Sequence, residues 1–160
     1  MNNLTIRNAK IIFRNFSGKG SQFNPQGRRN FSVIIEDENL ANDLINDGWN
    51  LKPLKKRDEN DPQHWHLPVA VNYGAYPPTI ILKSGKSKTY LEELTVQMLD
   101  WADIVNVDLT IRPRIYEIAG QTGIKAYLKT MGVVVEVDEI AAEYADVGDG
   151  TFTDEEDTPF

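Results

Sequence analysis

Polar and apolar residues alternate along much of this chain, and a period of two predicts half-buried strands. Phe31, Val33 and Ile35 share one face of residues 29–35. Val107, Leu109 and Ile111 do the same within residues 106–114. Residues 4–16, rich in Ile and Phe, predict one long strand. Shorter strands are predicted over 49–54, 64–73 and 79–83, with a turn at Gly74 and Pro77-Pro78. A last long strand is predicted over 124–137, after a hairpin signal at Gly120-Gln121-Thr122-Gly123. Two stretches change to helical spacing. Leu40, Leu44 and Ile45 fit one face of a short helix closed by Gly48. Leu91, Leu94, Met98 and Leu99 predict a second helix within residues 90–101, with Trp101 in the core. Residues 17–27 hold Gly18, Gly20, Pro25 and Gly27 and predict a mobile loop. Residues 139–144 predict a helical turn or two.

The tally is six or seven strands and one or two short helices, with no regular strand–helix alternation. That argues against a doubly wound parallel sheet. It predicts a mainly β protein, an OB-fold-like Greek-key barrel over residues 1–144. From Asp146 onward the chain is Gly, Thr and acids, which cannot bury enough surface to fold. Residues 145–160 are therefore expected to form a disordered acidic tail. A length of 160 residues fits one domain plus such an appendage. No apolar run approaches the span of a bilayer, so no membrane partner is expected. There is no cysteine, hence no disulfide, thiolate zinc site or thiol nucleophile. The first residues lack the pattern of a secretory signal, and a cytoplasmic location is expected.

Charge is divided along the chain. The net charge is −7, yet residues 1–130 hold all 17 Lys and Arg against 14 acids. Residues 131–160 hold 10 acids and no base. A mildly basic body thus carries a strongly acidic end, and this asymmetry speaks to partners more than the total does.

If Ala119 pairs with Ile124 across a four-residue turn, Tyr116 faces Tyr127 and Arg114 faces Lys129. Arg112, Arg114, Tyr116, Lys125, Tyr127 and Lys129 then share one sheet face. Ile111, Ile115, Ile124, Ala126 and Leu128 take the other, as core. Cations can follow phosphates while rings stack on unpaired bases, so this face suits single-stranded nucleic acid. A solvated face with a cross-strand Tyr pair would show the same residues. Basic loops could extend the groove: Lys19, Phe23, Arg28 and Arg29; then Lys55, Lys56 and Arg57; then Lys86.

The chain ends Asp154-Glu155-Glu156-Asp157-Thr158-Pro159-Phe160. Phe160 joins a ring to an α-carboxylate, and the acids would steer it toward a basic-rimmed apolar pocket on a partner. Pro159 lowers the conformational freedom lost on docking. This ending resembles the C-terminal tip of bacterial single-stranded DNA-binding proteins. The body is similar to single-stranded DNA-binding proteins of tailed bacteriophages and prophages. IRNAKIIFRNFSG, GRRNFSVIIE, DGWNLK, DLTIRP and GIKAYLK carry that likeness within residues 6–130. It implies an oligonucleotide-binding fold, ssDNA as partner, and replication or recombination proteins docking on Asp154, Glu155, Glu156, Asp157, Pro159 and Phe160. Thr158 stands where an apolar residue is common. Oligomeric state is not legible, and a homodimer stays open.

Enzyme readings fail on spacing. Ser84-Gly85-Lys86-Ser87 resembles the end of a P-loop, but the Gly required five residues before Gly85 is Ile80. Gly18 and Gly20 begin a dinucleotide pattern whose third Gly would be Phe23. His64 and His66, the only histidines, could hold a metal with Asp61 or Glu59 as a third ligand, but polar strand faces often carry His and no metal is expected. Neither catalysis nor a cofactor is expected. The competing reading is a β-barrel adaptor that binds only proteins through the tip. It has no use for the face from Arg112 to Lys129.

Overall fold

The alternating segments fold as read, and the spaces between them hold the surprises. The structure is a computed structural model and describes residues 2–22 and 24–137. Among these lie nine strands: β1 (Leu4–Ile6), β2 (Ile11–Asn15), β3 (Arg29–Ile35), β4 (Lys52–Pro53), β5 (Trp65–Val71), β6 (Thr79–Ser84), β7 (Ser87–Leu91), β8 (Ile104–Ile118) and β9 (Gln121–Val135). One α-helix, α1 (Glu38–Asp47), and one 3₁₀ segment (Val96–Asp100) complete the set. The protein is mainly β, with an OB-like fold. The expected tail, its tip and the helical turn over 139–144 lie outside the described residues, as does Phe23. No helix among the described residues is long and apolar enough to cross a membrane.

The strands pair in the order β1-β8-β9-β5-β3-β2. β4 adds to β5, and β6 joins both β9 and β7. The two ends of this open ladder, β1 and β2, are consecutive in the chain. Between them the Ala9 amide donates to the Val107 carbonyl, and the Lys10 carbonyl accepts from Ile34. The sheet thereby curls back on itself around one core. Phe31, Val33, Leu67, Val69, Ile111, Leu128 and Met131 fill that core, each at 1% exposure or less. Trp49 is buried with them, while Trp65 packs half-buried at the margin.

Helix α1 starts and stops by recognisable chemistry. The Asp37 carboxylate accepts from the amides of Asn39 and Leu40, satisfying two of the orphan donors of the first turn. Gly48 ends the helix at φ 102°, where a side chain would be strained. Its carbonyl then accepts from the Ile124 amide at 3.0 Å, tying the helix end to β9. Asp37→Ala is expected to cost about 1 kcal/mol, read as a lower thermal midpoint.

Three expectations are corrected. The long strand over 4–16 breaks in two at residues 7–10, where Asn8 adopts φ 53°; Phe13, also at φ 53°, marks the register irregularity inside β2. The strand over 49–54 shrinks to Lys52–Pro53. The helix over 90–101 does not form. Tyr90 and Leu91 continue β7, and only Val96–Asp100 turns, as 3₁₀. Val96 and Leu99 are buried, but Leu94 and Trp101 are 87% and 73% exposed, so Trp101 is not core. The turn is held from outside. The Asp100 carboxylate accepts from the amides of Phe16 and Ser17, and Arg14 Nη1 donates to the carbonyls of Leu99 and Ala102.

Candidate nucleic-acid interface

β8 and β9 form one long hairpin whose turn is shorter than the sequence signal implied. Ile118 pairs with Gln121, leaving a two-residue turn at Ala119-Gly120. Both turn residues have positive φ, 53° and 80°, the pattern that suits the twist of a tight hairpin. The register therefore places Arg112 opposite Tyr127, Arg114 opposite Lys125 and Tyr116 opposite Gly123. The expected pairs Tyr116–Tyr127 and Arg114–Lys129 do not form. The correction is a shift of four, an even number, so each residue keeps its face. Arg112, Arg114, Tyr116, Lys125 and Tyr127 stand together on the outer face. Lys129 sits without a direct partner where the register slips between Thr110 and Ile111, and it is exposed.

The end of the hairpin runs past the core. Ile115, expected inside, is 62% exposed, and Glu117 is exposed beside it. Ile111, Ile124, Ala126 and Leu128 are buried as read. Gly123 is not a turn residue. An added Cβ there would lie 2.6 Å from the Tyr116 hydroxyl, so the glycine makes room for that ring.

The outer face continues across the sheet. Arg112 pairs with Tyr127, Tyr127 with Ala70, Ala70 with Asn30, and Asn30 with Asn15. This row crosses five strands, about 19 Å at the usual strand spacing. Lys125 Nζ lies 5.3 Å from the centroid of the Tyr127 ring. The loop after β5 folds over the same end. Its Tyr76 is 71% exposed and stacks under the Arg112 guanidinium at 5.0 Å. Asn72, Tyr76, Arg112, Arg114 and Tyr127 thus line one polar groove. Sequence reading passed over Tyr76, whose place depends on a loop folding back across two strands.

Phe13 was also passed over. Its ring is 62% exposed and meets His66 edge-on at 5.2 Å. His66 Nδ1 lies 2.9 Å from the Ser32 hydroxyl, on the same outer face as Ala70. A ring held in solvent on a left-handed backbone is a ready platform for a base. Burial, and then the charge of Lys52, lower the His66 pKa below 6.5. The unfolded chain takes up that proton near 6.5, the folded one only at lower pH. The associated stability is full above 6.5 and falls as pH drops toward the folded value. An NMR titration of His66 is expected to show a midpoint below 6.5. His64 instead approaches Glu36 at 3.8 Å, so the two histidines go separate ways.

The basic loops divide by position. The described residues of the segment after β2 are linked by side-chain hydrogen bonds. Asn15 Oδ1 accepts from the Lys19 amide, and Asn24 Nδ2 donates to the carbonyls of Lys19, Pro25 and Arg28. Lys19 and Arg28 are exposed on it, at the Asn15–Asn30 end of the row. Arg29 opens β3, pairs with Glu93 at 3.3 Å and lies over the Tyr73 ring at 5.6 Å. Burial pushes the Tyr73 phenol up to about 12, against the pull of Arg29 and with help from Glu93 and Glu92. Lys55, Lys56 and Arg57 are exposed in the loop between β4 and β5. Lys86 is elsewhere. It turns β6 into β7, where Ser84 pairs with Val135, eight residues along β9 from Tyr127 and about 26 Å away.

Residues 1–157 match the family model described as "Putative phage ssDNA-binding domain". The chain belongs to this phage ssDNA-binding family. No curated protein sequence matches it. Among solved structures it is similar to the single-stranded DNA-binding protein from bacteriophage Enc34 in complex with ssDNA. That match has a TM-score of 0.54 at 11% identity, over 82% of this chain and 85% of that one. The C-terminal truncation of the Enc34 protein gives 0.55 at 11% identity, over 83% and 85%. At such identities the likeness is one of fold.

Proposed function

We propose that this protein coats single-stranded DNA during phage DNA replication and recombination, and recruits partner proteins through its acidic C-terminal tip. The observation that carries the first half is the outer row of rings and cations. Tyr127, Tyr76 and Phe13 offer faces to bases, while Arg112, Arg114 and Lys125 offer charge to phosphates. Exposed rings interleaved with cations bind any sequence of unpaired bases, because every base has a face to stack. Family membership supports the same reading, and the complex with ssDNA described for the Enc34 protein supports it by fold. Lys19, Arg28, Lys55, Lys56 and Arg57 would extend the phosphate track. Lys86 lies far from it.

The tip reading rests on sequence. Asp154, Glu155, Glu156, Asp157, Pro159 and Phe160 combine steering charge with one apolar anchor. Fluorescence anisotropy with labelled oligo-dT across a salt series tests the first half, with duplex DNA and RNA as competitors. Tight binding that falls steeply with salt and resists duplex is expected. No binding at low salt would sink it and leave the adaptor reading in place. Deleting residues 154–160 is expected to leave oligo-dT binding equal or tighter while abolishing capture of replication or recombination proteins. Weaker DNA binding after that deletion would contradict the assignment.

A further inference from the structure

The groove that Tyr127 lines differs from the rest of the row in having walls. It encloses about 320 Å³, at the small end of the range for sites that hold one small molecule. Asn72 and Tyr76 line it from the loop after β5, and Arg112, Arg114 and Tyr127 line it from the hairpin. Rings on an open face stack on any base. A base that enters a groove also meets groups at its edge, and the edge is where bases differ.

The groups that wait there are mostly of one kind. No acidic side chain lines the groove. Arginine carries only donors. Among the described residues neither guanidinium makes an ion pair or a hydrogen bond. Arg112 lies over the Tyr76 ring at 5.0 Å, and a guanidinium held by its flat face keeps its N–H edge free. An asparagine offers a donor and an acceptor side by side. The Asn72 Oδ1 is already engaged, accepting from the Gly74 amide at 2.7 Å. That amide can only donate, which fixes the oxygen end and leaves Nδ2, a donor, as the free half. The tyrosine hydroxyls donate or accept and favour neither.

We infer that this groove takes one base of the strand and reads its edge, preferring guanine to adenine, with Arg112 as the reading residue. The two purines stack alike and differ at the edge. Guanine presents O6 and N7, two adjacent acceptors that fit the fork of an arginine. Adenine presents N7 beside the N6 amino group, a pair that an asparagine reads with its oxygen and nitrogen together. Here the Asn72 oxygen is taken and the arginines have no acceptor. The N6 amino group would lose water without gaining a partner. The inference rests on the single-strand reading and adds to it. Binding stays tolerant of sequence along the row, with one position that discriminates.

The test is fluorescence anisotropy with the shortest oligo-dT that binds one protein, carrying a single dG or a single dA at each position in turn. At one position dG is expected to bind about fivefold more tightly than dA, the low end for an arginine–guanine pair because the groove is open to water. 7-Deaza-dG at that position, with C–H in place of N7, is expected to bind like dA. Both measurements use the unmodified protein, so a misfolded variant cannot imitate them. Arg112→Lys keeps the charge and loses the fork, and its ratio of dG to dA affinity should fall to about one. Equal binding of dG and dA at every position, with oligo-dT itself bound tightly, would overturn the inference and leave the single-strand reading intact. A dG preference that survives 7-deaza-dG or Arg112→Lys would overturn it as well. Failure of the unmodified protein to bind any of these strands would instead remove the single-strand reading, and this inference with it.

Discussion

Replacing Tyr127 with alanine is expected to weaken oligo-dT binding roughly 10- to 100-fold, by a similar factor at every salt concentration. Stacking of one base on an aromatic ring is worth about 1–3 kcal/mol. It releases no counterions, so its loss does not change the slope of affinity against salt. The ring sits at the centre of the row, opposite Arg112 and beside Ala70, with Lys125 over it at 5.3 Å. Ala70 adds no bulk next to it. Tyr127→Phe keeps the ring and should retain most of the affinity, which separates stacking from a hydrogen bond by the hydroxyl. Tyr127 is half-buried on a paired strand, so thermal denaturation of both variants belongs beside the anisotropy titration. An alanine variant that folds normally and binds like the parent would move the DNA path off this face.

The face itself was legible because its signal is a parity. Alternation assigns residues to faces, and an error of four in the register leaves the parity intact. The partners across the hairpin were not legible, because they depend on which glycine makes the turn. Gly120 and Gly123 look alike in sequence, yet one supplies a positive φ and the other makes room for Tyr116. Ile115 was misplaced for a related reason. An alternating strand reads as half-buried along its whole length, and nothing local marks where it leaves the core. The helical spacing of Leu91, Leu94 and Met98 misled because apolar residues at such intervals need not face the core. Here Leu94 and Met98 line a groove in solvent instead. Tyr76 and Phe13 owe their positions to a loop crossing other strands and to a left-handed backbone. Neither is written in a local pattern.

Arg114 and Lys125 are expected to give the opposite signature to Tyr127. They stand directly across the hairpin from each other and are both exposed. Like charges in that position destabilise a sheet by about 0.2–1 kcal/mol. A polyanion between them removes the repulsion, so the pair is better suited to the bound state than to the free one. For single strands the salt slope changes by about 0.7 per phosphate contact. Removing both cations, as Arg114→Ala with Lys125→Ala, should flatten the slope by about 1.4. The affinity loss then grows as salt falls, to roughly 60-fold at about 50 mM, and nearly vanishes near 1 M. The free protein should meanwhile be no less stable, or slightly more so, in thermal denaturation. The two measurements together discriminate between roles. Cations that only solvate the hairpin would leave the slope untouched when removed. A loss of affinity independent of salt would mean that the substitutions had disturbed the ring of Tyr127, over which Lys125 lies, rather than a phosphate contact.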